Sequence, residues 1–424
     1  MKKSGRPLRL LLAGNHSCGN RGDAAILRGL VDAIEEREPE AELTITSRFP
    51  TSSAFLLGRH VVPDWTYDWP DDAAIRPYRL KRRVVAAVPG LLRSAVERGG
   101  RRGWLLPRAV SDRIERLREY DAVVQVGGSF FVDLYGNRQY ETPYCAILAD
   151  RPLHLIGHSL GPFASPSSRR FAATLLTHAG NTVLREPVSR ALIERDGLPL
   201  DRISMGADTA WLVRPGADRS DMRGWVRARA HARPAVAITL RDLEPFSTRL
   251  GIDQARYEQA YAQFCLTMIE HGHDIVAVST CTGIEGYRDD RMPALRVAAR
   301  VGRPDRFHVM MDEINDVELG HLLSACHLLV GTRLHSAIIA LNFGTAAIAL
   351  NYEHKSRGIM QALGVPEFAA DLTDLLDSSL VERALAIAWD RDALGPKITQ
   401  AVAVQRDIAG RSVTDMLQSI GKVL

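Results

Sequence analysis

HLLVGTRLHSAII, residues 327–339, passes from an apolar run through Gly331 into a second apolar stretch with helical spacing. A buried strand feeding directly into a helix reads this way, and the turn between them sets Arg333 and His335 in the helix's first turn. In an open α/β sheet, ligands gather outside the carboxyl ends of the strands, where the next helix begins. The free N–H groups and the dipole at such a helix start favour anions. A guanidinium there suits a carboxylate or phosphate, and an imidazole suits proton transfer. The same residues have a plain structural reading as well, with Arg333 paired to an acidic neighbour and His335 packed on the sheet. This stretch alone does not separate the two.

Outward from it, short apolar runs alternate with amphipathic helical stretches, the pattern of repeated βα units and parallel sheets. In the first half the expected strands are 9–14, 42–47, 122–128, 153–159 and 181–186, with helices over 23–38 and 167–178. After DTAWLV, 208–213, the polar stretch RPGADRSDMRG marks a boundary. A second series follows at 235–241, 274–280, 307–311, 327–332 and 345–352. At 424 residues the chain exceeds one ordinary core. The expected architecture is therefore α/β with two doubly wound, Rossmann-like domains facing a cleft. Residues 1–215 form the first domain and 216–424 the second, donor-binding one, and the helical last fifty residues can cover either.

A net charge of +4 is too small to imply nucleic acid. Cys18, Cys145, Cys265, Cys281 and Cys326 lack CxxC spacing, which points to a reducing, cytoplasmic compartment. The apolar run after Lys2 and Lys3 is too short for a signal peptide and reads as a first strand. Residues 76–118 stand apart as a basic insertion, dense in arginine with three acids and apolar patches around Val84, Leu91, Leu92, Trp104 and Leu105. A solvated basic helix and a dock for an anionic membrane face both fit it. RNA binding is weaker, because no stacking motif accompanies the charge.

Other strand ends repeat the pattern of glycine followed by polar groups. In GNHSCGNRGDAAILRG, 14–29, the glycines Gly14, Gly19 and Gly22 permit turns and close backbone approach, Asn15 and Asn20 face a prospective cleft, and Asp23 is placed to cap the following helix. The spacing is neither GxGxxG nor a P-loop. VQVGGSFFVDLYG and IGHSLGPF bring Ser129 and His158, for which turn and capping roles outweigh catalysis. Arg241 ends AVAITLR, and NYEHKS adds Glu353, His354 and Lys355. Several basic groups at strand ends of one domain suit a small, doubly anionic molecule. No HExxH, Asp triad or spaced His cluster is present, so no metal site is expected. GHSLG matches a serine-hydrolase elbow only on paper.

Together, GNHSCGNRGDAAILRGL, VQVGGSFFVDLYG, IGHSLGPF, ADTAWLV, STCTGIE, GTRLHSAII and NYEHKS make the chain resemble the polysaccharide pyruvyl transferase family, nearest the colanic acid and amylovoran members of bacterial exopolysaccharide assembly. The resemblance runs from about residue 9 to about 364. It implies a GT-B-like fold and phosphoenolpyruvate as donor substrate, with no cofactor. The acceptor it implies is a sugar hydroxyl pair, carried on a lipid-linked oligosaccharide beside the membrane or on a nucleotide sugar. It puts the donor on Arg333, Leu334 and His335, with Arg185 as the matching first-domain arginine and His335 as acid. Where this chain has His158, many relatives have glutamine, which argues against catalysis by His158. A GT-B glycosyltransferase using a nucleotide sugar, and a non-catalytic scaffold of polysaccharide assembly, are the competing expectations.

Overall fold

The computed structural model describes residues 6–66, 78–100, 106–216, 219–231, 233–244, 247, 251–284, 288–351, 354–377 and 379–423. The first sheet holds β1 (Arg9–Ala13), β2 (Glu42–Ser47), β3 (Val62–Pro63), β4 (Ala122–Gln125), β5 (Leu153–His158), β6 (Asn181–Leu184) and β7 (Ile203–Met205). The second holds β8 (Ala235–Thr239), β9 (Asp274–Val278), β10 (Phe307–Val309), β11 (Leu328–Gly331), β12 (Ala347–Asn351) and β13 (Ala369–Asp371). Their orders are β3-β2-β1-β4-β5-β6-β7 and β10-β9-β8-β11-β12-β13. Every pairing is parallel, so each sheet is doubly wound. The strand order reverses between β1 and β4 in one sheet and between β8 and β11 in the other, which is where such sheets open a crevice.

The central strands are buried on both faces, and their alternation sorts side chains into two apolar clusters. Leu10, Leu12 and Val124 face the helix Arg21–Arg37 and share a core continuous with the second half, while Leu11, Val123 and Leu155 face the opposite layer. That opposite layer includes the helix Tyr78–Glu97, whose Val88, Leu92 and Val96 are buried in it. Leu92, expected in an apolar patch beside the basic charge, therefore points into the protein, and Trp104 and Leu105 lie outside the described residues. Arg83, Arg98 and Arg108 remain exposed.

Charged side chains fasten the halves together. Arg28 from helix Arg21–Arg37 makes a two-point contact with the buried Asp316, its Nε and Nη2 donating at 2.8 Å to each oxygen. Arg21, fully buried, donates to the Ile314 carbonyl and to Glu313. The long helix Arg391–Val423 returns over the first half, where Arg37 Nε donates to Thr414 at 2.9 Å and Arg406 Nε donates to the Trp211 carbonyl at 3.1 Å. Among the described residues, no helix is long and apolar enough to cross a membrane.

Candidate active site

Arg241 and Arg333 follow β8 and β11, the two strands that flank the second sheet's switch point. Arg333 is the residue before the helix Leu334–Asn342, in extended backbone with φ −98° and ψ 114°, and not part of its first turn as its spacing had suggested. Its guanidinium grips the buried carboxylate of Asp290, with Nη2 donating to Oδ1 at 2.6 Å and Nε to Oδ2 at 3.1 Å. The acidic neighbour of the plain reading thus exists, and it orients Arg333 at the strand end. Beneath, the Thr332 hydroxyl lies 2.8 Å from both Tyr257 and Tyr261 hydroxyls, and Thr239 lies 2.8 Å from Ser336. Burial pushes both tyrosines above their ordinary range, so they serve as neutral hydrogen-bonding props. Leu334 is buried in the core and contributes packing.

Across the cleft, Arg185 follows β6 and is almost fully buried. Its Nε donates to Ser159 at 2.8 Å, Nη2 to Ser129 at 3.0 Å and Nη1 to Asp208 at 2.6 Å. The same Nη1 lies 3.4 Å from His335 Nε2, so the first-half arginine and the second-half histidine meet. Asp208 Oδ2 is 3.3 Å from His335 Nε2, and Asp208 Oδ1 accepts from the Ala210 N–H at 2.9 Å. Burial alone would raise the Asp208 carboxyl, but Arg185, His335 and the Ala210 N–H outweigh it and hold the group well below the usual carboxylate range. Asp208 and Asp290 were not singled out from sequence. Asp208 lay inside a quoted segment, ADTAWLV, without a role, and Asp290 carried no signal.

The helix Arg21–Arg37 closes the other side of His335. Gly22 faces the imidazole so closely that an added Cβ would lie 2.6 Å from His335 Cβ, Cγ and Nδ1. Asn20 caps this helix by accepting from the Gly22 N–H at 3.0 Å. The cap had been expected of Asp23, which instead occupies the first turn and accepts from Asn20 Nδ2 at 3.2 Å. Asn20, the residue just before the helix, takes the role because a capping oxygen must reach the N–H two residues on.

Of the other candidates, Ser129 touches the cleft through Arg185, as stated. His158 is fully buried, with Nε2 3.2 Å from the Gln125 carbonyl and its ring against Phe131, and burial lowers its pKa to about 4. Asn15 is buried and donates to Cys18 Sγ at 3.5 Å. Arg241 Nε donates to the Asp242 carbonyl at 3.0 Å. Glu353 and the side chains of His354 and Lys355 lie outside the described residues.

Residues 20–354 match the family described as polysaccharide pyruvyl transferase. The chain is 42% identical to the amylovoran biosynthesis protein AmsJ of Erwinia amylovora, over 98% of its own length and 100% of that protein's. Among solved structures it is similar to HepE of Anabaena in complex with UDP-glucose, with a TM-score of 0.58 at 16% identity over 97% of this chain and 99% of that one. It is also similar to the UDP-GlcNAc 2-epimerase of Neisseria meningitidis bound to UDP-GlcNAc, with a TM-score of 0.57 at 11% identity over 98% of this chain and 100% of that one. At those identities the structural likeness concerns the fold, two Rossmann-like domains in a GT-B-like arrangement.

Proposed function

The chain belongs to the polysaccharide pyruvyl transferase family, and from that premise we propose that it moves the pyruvyl group of phosphoenolpyruvate onto a sugar of an exopolysaccharide repeat unit, forming a pyruvate ketal. The observation that carries this reading is the meeting of Arg185 with His335 at 3.4 Å, with Arg333 two residues before His335 after the same strand. Phosphoenolpyruvate presents a carboxylate and a phosphate, so arginines from two sides and a helix N-terminus suit it. Arg241, and Lys355 two residues beyond Glu353, complete the basic set of the second half.

In this reading His335 delivers a proton to the methylene carbon of the donor, generating an oxocarbenium-like centre at the carbon bearing the carboxylate. A first sugar hydroxyl attacks that carbon. Loss of phosphate and attack by a second hydroxyl close the ketal ring. Of the two hydroxyl protons, one balances the proton placed on the methyl group and the other leaves with phosphate as HPO4 2−. A positioned general acid contributes about 10² to 10⁴ in rate. In heavy water the product methyl should carry deuterium, and a methyl free of deuterium contradicts protonation at that carbon.

The acceptor we assign is a lipid-linked oligosaccharide at the cytoplasmic face of the membrane. The exposed Arg83, Arg98 and Arg108 support an electrostatic contact with anionic lipid, not insertion, because Val88, Leu92 and Val96 point inward. Reversing those three charges should weaken sedimentation with anionic vesicles, and unchanged sedimentation would remove this part of the assignment. A second reading, transfer from a nucleotide sugar, draws on the UDP-glucose bound by the structurally similar HepE. Binding competition between the two donors separates them.

A further inference from the structure

We propose that Asp208 is the positioning residue of the acid: it holds the Nε2 edge of His335 across the cleft, so that His335 exchanges its proton through Nδ1. This rests on the pyruvyl-transfer reading for its role in catalysis, although not for its geometry. Asp208 reaches the site from the turn after β7, and His335 from the helix after β11, 127 positions further along the chain. The pair therefore exists only when the two halves are together.

The contacts of the Asp208 carboxylate point to the protonated nitrogen. Asp208 Oδ1 is taken by the Ala210 N–H, and Oδ2 receives Arg185 Nη1 at 2.6 Å while lying 3.3 Å from His335 Nε2. An ionised carboxylate only accepts, so the nitrogen facing it must carry the hydrogen. Arg185 Nη1 keeps one hydrogen beyond the one it gives Asp208 and competes for Nε2 at 3.4 Å, but a bare Nε2 lone pair would then face the Asp208 carboxylate at 3.3 Å, which the Nε2–H form avoids. With Nε2–H committed, Nδ1 is the nitrogen left to gain and lose a proton. Gly22 presents only backbone to that edge of the ring, since any Cβ there would lie 2.6 Å from Nδ1.

Among the charged groups on the elements packed here, Arg185 and Asp208 come within hydrogen-bond distance of the imidazole, while Arg21 donates to Glu313, Asp23 accepts from Asn20 and Arg333 is held by Asp290. Asp208 is the one whose carboxylate lies against the ring nitrogen. During transfer the Nδ1–H bond breaks as the methyl C–H bond forms, and the Asp208 carboxylate stabilises the imidazolium beforehand. The attacking hydroxyl's proton restores His335.

The test is histidine-labelled nitrogen NMR on the full chain without ligand, with the His335 signal identified by its loss in His335→Gln. Neutral His335 should show the Nε2–H tautomer, and the Nδ1–H tautomer would overturn the proposal. Asp208→Asn should release this preference and populate the Nδ1–H tautomer, and an unchanged tautomer in Asp208→Asn overturns the proposal. If that variant does not fold, the tautomer in the unaltered protein still decides. The Nε2–H tautomer in a protein that never transfers pyruvate would support the Asp208 assignment and reject the pyruvyl-transfer reading.

Discussion

Arg333 and Asp290 form a two-point pair in which the carboxylate is wholly buried, with contacts of 2.6 and 3.1 Å. The pair fixes the direction of the guanidinium at the end of β11. Arg333→Lys keeps the charge and loses the fork, so donor affinity should fall by about tenfold or more. Calorimetric titration reads this directly, and undiminished affinity would show that Arg333 is not the donor's clamp. Arg333→Ala is the poorer variant, because it strands a buried carboxylate at a cost of about 3 to 5 kcal/mol.

The same logic applies to the fastening between the halves. Asp316 is fully buried and holds Arg28 at two points. Arg28→Ala should lower the free energy of unfolding by about 3 to 5 kcal/mol, measured by denaturant titration. A loss within about 1 kcal/mol would mean that the contact behaves like a surface ion pair.

Gly22→Ala separates site geometry from stability. The new Cβ would meet three atoms of His335 at 2.6 Å, while alanine raises helix propensity by roughly 0.5 to 1 kcal/mol. The expected outcome is a turnover number reduced by about 10² or more with a melting temperature near that of the unaltered protein. Normal turnover would show that the imidazole has room to move without consequence.

Acid should destabilise the fold through two core histidines. His154 is lowered from 6.5 to about 4 by burial, and His158 likewise, with the Gln125 carbonyl opposing and Arg185 adding to the effect. Because the unfolded chain binds protons that the folded chain refuses, this contribution is intact above about pH 6.5 and is lost as pH falls toward about 4. Neither His154 ring nitrogen has a partner among the described residues, so His154→Leu should unfold less steeply with acid than the unaltered protein. Equal pH dependence across that window would contradict the buried, neutral state of His154.

How far the sequence could be read depended on length and on distance. β2 matches ELTITS residue for residue, and β5 and β12 lie within the expected runs, because long apolar strands announce themselves. β3, β7 and β13 went unread, since two or three residues such as Val62–Pro63 or Ala369–Asp371 carry no periodicity. Arg333 and His335 were legible because a strand end marks their place. Their partners were not: Asp290 lies 43 residues and Asp208 127 residues away, and only the folding of two sheets against each other joins them. Gly22 was noticed for turn-making, whereas its role comes from an imidazole brought by the other half.

In the proposed reaction phosphoenolpyruvate binds between Arg185 and Arg333. Calorimetric titration of the purified protein with phosphoenolpyruvate, beside UDP-glucose and with Arg333→Lys in parallel, decides this. The expected result is saturable binding of phosphoenolpyruvate that weakens in the variant, and no comparable binding of the nucleotide sugar. Tight binding of UDP-glucose, with none of phosphoenolpyruvate, would contradict it.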